Sequence, residues 1–590
     1  MFDSHNSTDG TRPNGTTSDD PRGDAAKRSL ASRRRVLSAF GAAGAAALAG
    51  CGAPADGGES EADGDADSLR ISIILDPGAP LNSYIAMNAR WDWLNDLVFD
   101  RLFLPSPQVD DSIPGLATEA EQVDETTWRV TLREDVEWHD GEPFTAADVE
   151  FSYRFYRDGP HSRHAHHVNQ VPEIPTIEAE NERTVRFETA YPAPTLRRVT
   201  FADLPIMAEH VWSGVEEPLE YQGLPVGTGP YELVEYEEGE RLRFEATGDY
   251  YLGETVVDEI VVPIVPDPSV TFTALKTGEL DSTVRPIPPE TLQEFEEDDE
   301  IEVVEATQLQ GVELRLNFSQ LPFRDHEFRW ALSRALDIDA IVDVVMLGEA
   351  IPGTEGFPHP RSPWTASDLE IPHRPEEARE TFDELGYEEG DDGIRESPEG
   401  EPLSFELTVA SNEPQYVRAA QLIADQLEGF GLDIEVVTTD PGTVRGFFGD
   451  LDAFDMYISF TNLHLSADPD QFLMNHRGGP NLLWNVDPDQ GLLGDHDVDP
   501  EDLEYPAYEE LQEEYFEAET LDEQSEVLHE MQRLHNEQPV AIPLWYPLSL
   551  QAYRTDSHDA WAESPGLGIN HKYSFLEPEA RGDVVTETFD

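Results

Sequence analysis

The chain has 590 residues, of which 122 are acidic and only 38 are lysine or arginine, giving a formal net charge of −84. This length is sufficient for more than one hydrophobic core. The acidic residues are spread along every segment and no basic stripe is present, so the composition argues against nucleic acid as a partner. A wholly acidic surface repels itself at low salt, which predicts adaptation to a very salty medium.

The first 51 residues have the pattern of an export signal. Ser32–Leu37 contains the paired Arg33 and Arg34, an apolar stretch follows, and a small-residue site ends in Cys51, the only cysteine. The arginine pair resembles a twin-arginine signal and the site before Cys51 resembles a lipobox, which implies a lipidated N-terminus on the outer face of the cell membrane. The apolar stretch is about half as long as a membrane-spanning helix. The alternative is an Ala/Gly-rich leader with a chance cysteine.

The predicted elements then follow in chain order. Residues 52–68 are rich in Gly, Asp, Ala and Glu, which predicts a flexible acidic linker. Residues 69–75 are predicted to form a first strand. The alternation of apolar and polar side chains in Trp128–Leu132 predicts a strand with one solvent-exposed face. Trp138–Gly141 is predicted to be a turn, and Thr145–Asp148 has the spacing of a capping box at the start of a helix.

In the second half of the chain, predicted strands alternate with predicted helices. Leu403–Ala410 is predicted as a strand, Gln415–Phe430 as a helix and Leu432–Val436 as a strand, which together form a β-α-β unit with parallel strands. Thr520–Glu523 is predicted to cap a further helix, and Val540–Leu544 to form a short strand. The predicted fold class is mixed α/β.

Several motifs carry a resemblance to a known family. Thr127–Arg133 with Val136–Val149, Gly227–Tyr231 and Phe323–Asp337 occur in the order found in family 5 solute-binding proteins, the peptide- and nickel-type receptors of ABC importers. The resemblance covers roughly residues 69–590. Together with the acid-rich composition, it identifies the chain as similar to haloarchaeal lipoproteins of this family.

The resemblance implies a two-lobe periplasmic-binding-protein-like fold with an extra sub-domain on the N-terminal lobe. The chain would cross between lobes near 307–311 and again near 540–544. The resulting expected boundaries are 69–308 and 544–590 for the N-terminal lobe, about 100–220 for its sub-domain, and 312–541 for the second lobe. A small solute would bind between the lobes and pass to an ABC permease in the membrane. The resemblance implies no cofactor and no catalysis, and we expect a monomer.

The site residues expected from the resemblance flank the lobe junctions. The ligand-binding candidates are Asn82, Tyr84, His464, Asp468, Trp484, Trp545 and Tyr546. Peptide-binding relatives usually place an acidic residue shortly before the Asp468-Pro469 element, where it holds the ligand's amine, but residues 462–467 contain no acid. Asp468 or Asp470 is the expected substitute. A short peptide is the favoured solute, and a nickel chelate or a sugar is the alternative.

Two histidine patterns admit other interpretations. His161, His164, His166 and His167 could hold a metal, but the flanking Gly-Pro favours a solvent loop, and we predict no metal site. His139 and Asp140 are adjacent on the predicted turn, where a catalytic dyad is rare. No nucleophile elbow, Walker A loop or dinucleotide fingerprint occurs, so a secreted hydrolase is disfavoured. A receptor that presents its solute to a membrane sensor is the other alternative.

Overall fold

The computed structural model describes residues 68–578, except 75, 78–79, 85–91, 106–111, 160–167, 169–171, 307–309, 318–319, 355–358, 363, 370, 448–452, 463–508, 540, 559–560 and 563–567. The predicted export signal, residues 52–67 of the predicted acidic linker and the four-histidine cluster His161–His167 lie outside these residues, while Ser68 at the end of that linker belongs to the first strand. Within the described part, the helices are too short or too polar to cross a membrane.

The strands, in chain order, are β1 Ser68–Ser72, β2 Phe103–Pro105, β3 Ser112–Pro114, β4 Ala117–Gln122, β5 Thr127–Leu132, β6 Thr176–Asn181, β7 Thr184–Glu188, β8 Tyr231–Glu237, β9 Arg241–Ala246, β10 Glu259–Pro263, β11 Ser282–Thr283, β12 Ile301–Ala306, β13 Gln310–Leu316, β14 Ala350–Pro352, β15 Glu388–Glu389, β16 Arg395–Glu396, β17 Ser404–Ala410, β18 Asp433–Thr439, β19 Met456–Asn462, β20 Ala541–Pro547 and β21 Ser549–Arg554.

The α-helices are α1 Asp92–Val98, α2 Ala146–Asp158, α3 Thr200–Asp203, α4 Glu209–Trp212, α5 Pro268–Thr277, α6 Leu292–Glu296, α7 His326–Ala335, α8 Ile338–Val345, α9 Pro375–Glu384, α10 Pro414–Glu428, α11 Pro441–Gly446, α12 Glu509–Glu517 and α13 Leu521–Glu537. Short 3-10 turns occur at Pro218–Glu220, Pro289–Thr291 and Lys572–Phe575.

The first lobe is built on a seven-stranded mixed sheet in the order β12-β21-β11-β1-β10-β9-β8. Strand β1 is parallel to β10 and β11, and the other pairs are antiparallel. A four-stranded antiparallel sheet, β4-β5-β7-β6, forms its sub-domain. The inward side chains of β5 alternate as predicted, and one face of α2 is buried against this sheet.

The second lobe is built on a six-stranded sheet in the order β14-β20-β13-β19-β17-β18. Strands β17 and β18 are parallel over their whole length and α10 connects them, so the predicted β-α-β unit is confirmed. Helices α7 to α10 contribute to one hydrophobic core on one face of this sheet. The two predicted capping boxes, at Thr145 and Thr520, are also present.

The predicted turn at Trp138–Gly141 forms, but it does not bring His139 and Asp140 together as a pair. The Gly227 amide donates to His139 Nδ1 at 3.3 Å, and His139 Nε2 donates to the Gly229 carbonyl at 3.0 Å. Asp140 instead pairs with His210 at 2.7 Å. Burial lowers the pKa of His139, which favours the neutral ring. Through its two hydrogen bonds this ring links the Val136–Val149 motif to the Gly227–Tyr231 motif.

Close packing requires the two glycines of the Gly227–Tyr231 motif. A Cβ atom on Gly227 would overlap the Val98 carbonyl, and one on Gly229 would overlap the Leu97 carbonyl. Neither glycine has a positive φ, so close approach to the end of α1 is what excludes a side chain here.

Candidate solute-binding site

The two lobes are joined where one pair of antiparallel strands ends and another begins. Strand β12 of the first sheet pairs with β21, and Ala306 lies opposite Ser549. Only residues 307–309 separate β12 from β13, and only Leu548 separates β20 from β21. Strands β13 and β20 are themselves paired in the second sheet. The strands that flank the two crossings are therefore neighbours on both sides of the junction.

Strand β20 continues three residues beyond the predicted end of the short strand at Leu544. All of Ala541–Pro547 belongs to the second sheet, since Ala541 pairs with Arg315 and Pro547 pairs with Ala350. The apolar run that predicted a short strand continues through Trp545 and Tyr546, so the strand continues too.

Two ion pairs connect the lobes across the space beside these crossings. Arg418 of α10 reaches Glu290 of the first lobe at 2.9 Å. Arg361, which follows β14, reaches Glu305 of β12 at 2.9 Å. All four side chains are roughly two-fifths exposed, so each pair contributes little by itself.

Two further contacts between the lobes involve aromatic rings. The guanidinium of Arg198 lies 5.1 Å from the centre of the Trp364 ring, a cation–π geometry. The rings of Tyr191 and Phe516 have centroids 4.6 Å apart. These contacts place α12 and the segment around Trp364 against the sub-domain.

Trp545 and Tyr546 are adjacent on β20, and their side chains lie on opposite faces of the second sheet. Trp545 is buried in the core of the second lobe, and its ring meets that of Tyr416 edge-on with centroids 6.0 Å apart. The Tyr546 hydroxyl donates to the Thr354 carbonyl at 3.2 Å, and its ring contacts that of His359. Burial, with a smaller contribution from the Glu313 carboxylate, raises the pKa of Tyr546 to about 12.

Asn82 and Tyr84 belong to the other lobe. The Asn82 amide donates to the Pro218 carbonyl at 2.9 Å, and its oxygen accepts from the Tyr84 amide at 3.0 Å. The Tyr84 ring is fully buried and stacks on Tyr156 at 5.7 Å. The Asn82 side chain therefore fixes a turn, and the Tyr84 ring packs in the core of the sub-domain.

The remaining predicted site residues, His464, Asp468 and Trp484, lie outside the described part of the chain. The same holds for Arg33, Arg34 and Cys51 of the predicted export signal. Among the residues that the structure describes, no group of three or more His, Cys, Asp or Glu side chains is placed to hold a metal ion.

A buried ion pair lies on the central strand of the second lobe and was not predicted. Glu313 and Arg315 are two residues apart on β13, so both point to the same face, and their side chains are 3% and 2% exposed. Burial raises the pKa of Glu313. The sequence did carry a signal, since two opposite charges alternate with Val312, Leu314 and Leu316 in a strand buried on both faces.

The comparisons with known proteins agree with this architecture. The model of bacterial extracellular solute-binding proteins, family 5 middle, matches residues 111–482. Protein XP55 of Streptomyces lividans is 31% identical over 420 residues, which cover 69% of this chain and 73% of that protein. The oligopeptide-binding protein AppA of Bacillus subtilis is 25% identical over 379 residues, which cover 60% of this chain and 66% of AppA.

Solved structures show the same fold. The AppA structure, in complex with a nonapeptide, matches with a TM-score of 0.71 and 18% identity, covering 86% of this chain and 99% of AppA. NikZ from Campylobacter jejuni, in complex with Ni(L-His), matches with a TM-score of 0.70 and 22% identity, covering 83% of this chain and 95% of NikZ. With its two-lobe fold and the match over residues 111–482, the chain belongs to family 5 of the bacterial extracellular solute-binding proteins, a family of substrate-binding receptors.

Proposed function

We propose that this chain captures a short peptide between its two lobes and delivers it to the membrane permease of an ABC importer. The observation that carries the proposal is the family match over residues 111–482 together with a relative named as an oligopeptide-binding protein. The paired crossings support it, because they leave the two lobes free to close on a solute by a hinge motion. Binding between lobes buries most of a ligand's surface.

A peptide carries an amine that needs a partner, and we assign that role to Asp468. Residues 462–467, where peptide-binding relatives carry an acid, contain none in this chain. A carboxylate enclosed with its ligand is screened by salt much less than an exposed one. Such a group therefore suits a receptor that works in molar salt.

The proposal places the receptor on the outer face of the cell membrane. Arg33 and Arg34 would direct the precursor to twin-arginine export, and lipidation of Cys51 would anchor the mature protein. Residues 52–68 would act as a spacer between the lipid and the folded part. We further propose that the protein works as a monomer in a halophile, as its net charge of −84 suggests.

We propose lobe boundaries that follow sheet membership. The first lobe would comprise 68–306 and 549–578, with its sub-domain at about 100–220, and the second lobe would comprise 310–547. The order of strands in the two large sheets supports this division.

Calorimetry in molar KCl with a series of di- to pentapeptides tests the solute class. Saturable binding of peptides supports the proposal. A nickel chelate is the second candidate, because NikZ in complex with Ni(L-His) has the same fold. Binding of Ni(L-His) without binding of any peptide would refute the peptide proposal and leave the family assignment intact.

A further inference from the structure

One aromatic side chain in the second lobe is exposed where its neighbours are buried. Nine large hydrophobic side chains are exposed in the described part of the chain, and Phe460 is the only aromatic one among them. It belongs to β19, an interior strand of the six-stranded sheet, and it is 45% exposed. Large hydrophobic side chains that are exposed singly are common on protein surfaces, so what distinguishes Phe460 is its position among buried neighbours on an interior strand.

The strand register places Phe460 on the same face as the core of the second lobe. It lies opposite Val312 of β13, and Val312 in turn lies opposite Trp545 of β20. Val312 and Trp545 are 4% and 1% exposed, and Ile458, two residues earlier on β19, is 1% exposed. Phe460, Val312 and Trp545 form an apolar row across β19, β13 and β20. Val312 and Trp545 in this row are buried, whereas Phe460 is exposed.

The same register places this row beside the lobe junction. Val312 is the third residue of β13, which begins at Gln310, so the row lies about 7 Å from the end of the strand that enters from the first lobe. Trp545 packs against Tyr416 in the first turn of α10. Arg418, two residues further on, makes the ion pair with Glu290 of the first lobe. The elements around the row thus lie next to the junction between the lobes.

From these relationships we infer that Phe460 forms an apolar subsite that receives a hydrophobic side chain of the solute. The inference rests on the proposed function, and it narrows the solute class to short peptides with at least one aromatic or branched aliphatic residue. Apolar contact is well suited to molar salt, because salt screens charge pairs but leaves hydrophobic burial effective. A carboxylate side chain of the solute at this position would lose hydration against the ring without gaining a partner.

Calorimetry in molar KCl tests the inference with trialanine and the three tripeptides in which one alanine is replaced by phenylalanine. We expect the wild-type protein to bind at least one phenylalanine peptide about tenfold more tightly than trialanine. Phe460→Ala is expected to remove most of that preference, because the phenylalanine peptides lose more affinity than trialanine does. Phe460→Leu, which keeps an apolar side chain, should retain the preference.

Leu321→Ala is the matched control. Leu321 is 68% exposed in the same lobe, and it lies beyond the far end of β13, away from the junction. Melting curves of all variants check that each is folded. If peptides bind and Phe460→Ala keeps the wild-type preference, the subsite is refuted while the proposed function stands. If no peptide binds the wild-type protein, the proposed function fails and the subsite falls with it.

Discussion

Lys572 Nζ lies 2.6 Å from Asp100 Oδ1, and the two side chains are 3% and 0% exposed. The pair joins positions 472 residues apart, so it ties the final segment of the chain to the loop after α1. Asp100 also accepts hydrogen bonds from Tyr250 at 3.0 Å and from Thr228 at 3.2 Å. One of the three lysines in the chain therefore makes a buried ion pair.

Breaking this pair is expected to destabilise the first lobe strongly. Lys572→Met leaves the Asp100 carboxylate buried without its cation, which costs about 3–5 kcal/mol of unfolding free energy. Denaturant melts in molar KCl measure this loss.

Lys276→Met is the matched control for Lys572→Met. Lys276 pairs with Glu294 at 2.5 Å, but Glu294 is 69% exposed, so its loss should cost less than about 1 kcal/mol. Equal effects of the two substitutions would contradict a special role for the buried pair.

Stability is expected to rise steeply from low to molar salt. The repulsion among 84 surplus negative charges acts over about 10 Å at 0.1 M salt but only about 3 Å at 1 M. Thermal melts across this range measure the effect. A melting midpoint that does not move with salt would contradict the proposed adaptation to a saline medium.

The proposed export route depends on the arginine pair and the cysteine. Arg33→Lys combined with Arg34→Lys should leave the precursor in the cytoplasm, and Cys51→Ser should release or misprocess the protein because the lipid is lost. Fractionation of cells and the mass of the N-terminal peptide measure both outcomes. Full maturation of the double lysine variant at the cell surface would show that export does not use the twin-arginine signal.

The ion pair between Arg418 and Glu290 is expected to favour the closed arrangement of the lobes. Arg418→Gln should weaken solute binding by about two- to fivefold, because affinity includes the free energy of closing. The effect should be larger at lower salt, where the pair is less screened.

Arg533→Gln provides the control for Arg418→Gln. Arg533 makes a comparably exposed pair with Asp368 at 3.4 Å, but both residues belong to the second lobe. If the two substitutions change affinity equally, the effect arises from charge alone and the contact between lobes is not responsible.

Local signals were sufficient to predict much of the fold. The capping boxes at Thr145 and Thr520 and the unit from Leu403 to Val436 are confirmed, because each depends on neighbours within a few residues or on periodicity. The end of β20 was misplaced, since an apolar run does not reveal where a strand changes sheets.

Contacts between distant positions were not predictable in the same way. Nothing near Lys572 or Asp100 indicates that they meet, because the pairing arises only when the final segment returns to the first lobe. Phe460 was missed for a related reason. Its sequence environment is that of a buried strand, and its position opposite the buried Val312 does not reveal that its ring is 45% exposed.

The proposed solute is a short peptide. Mass spectrometry of small molecules released from the protein after purification in saline buffer identifies what it carries. We expect a set of short peptides that carry a hydrophobic residue, and we expect Asp468→Asn to reduce their recovery. Recovery of a metal chelate or a sugar with no peptide would contradict the proposal.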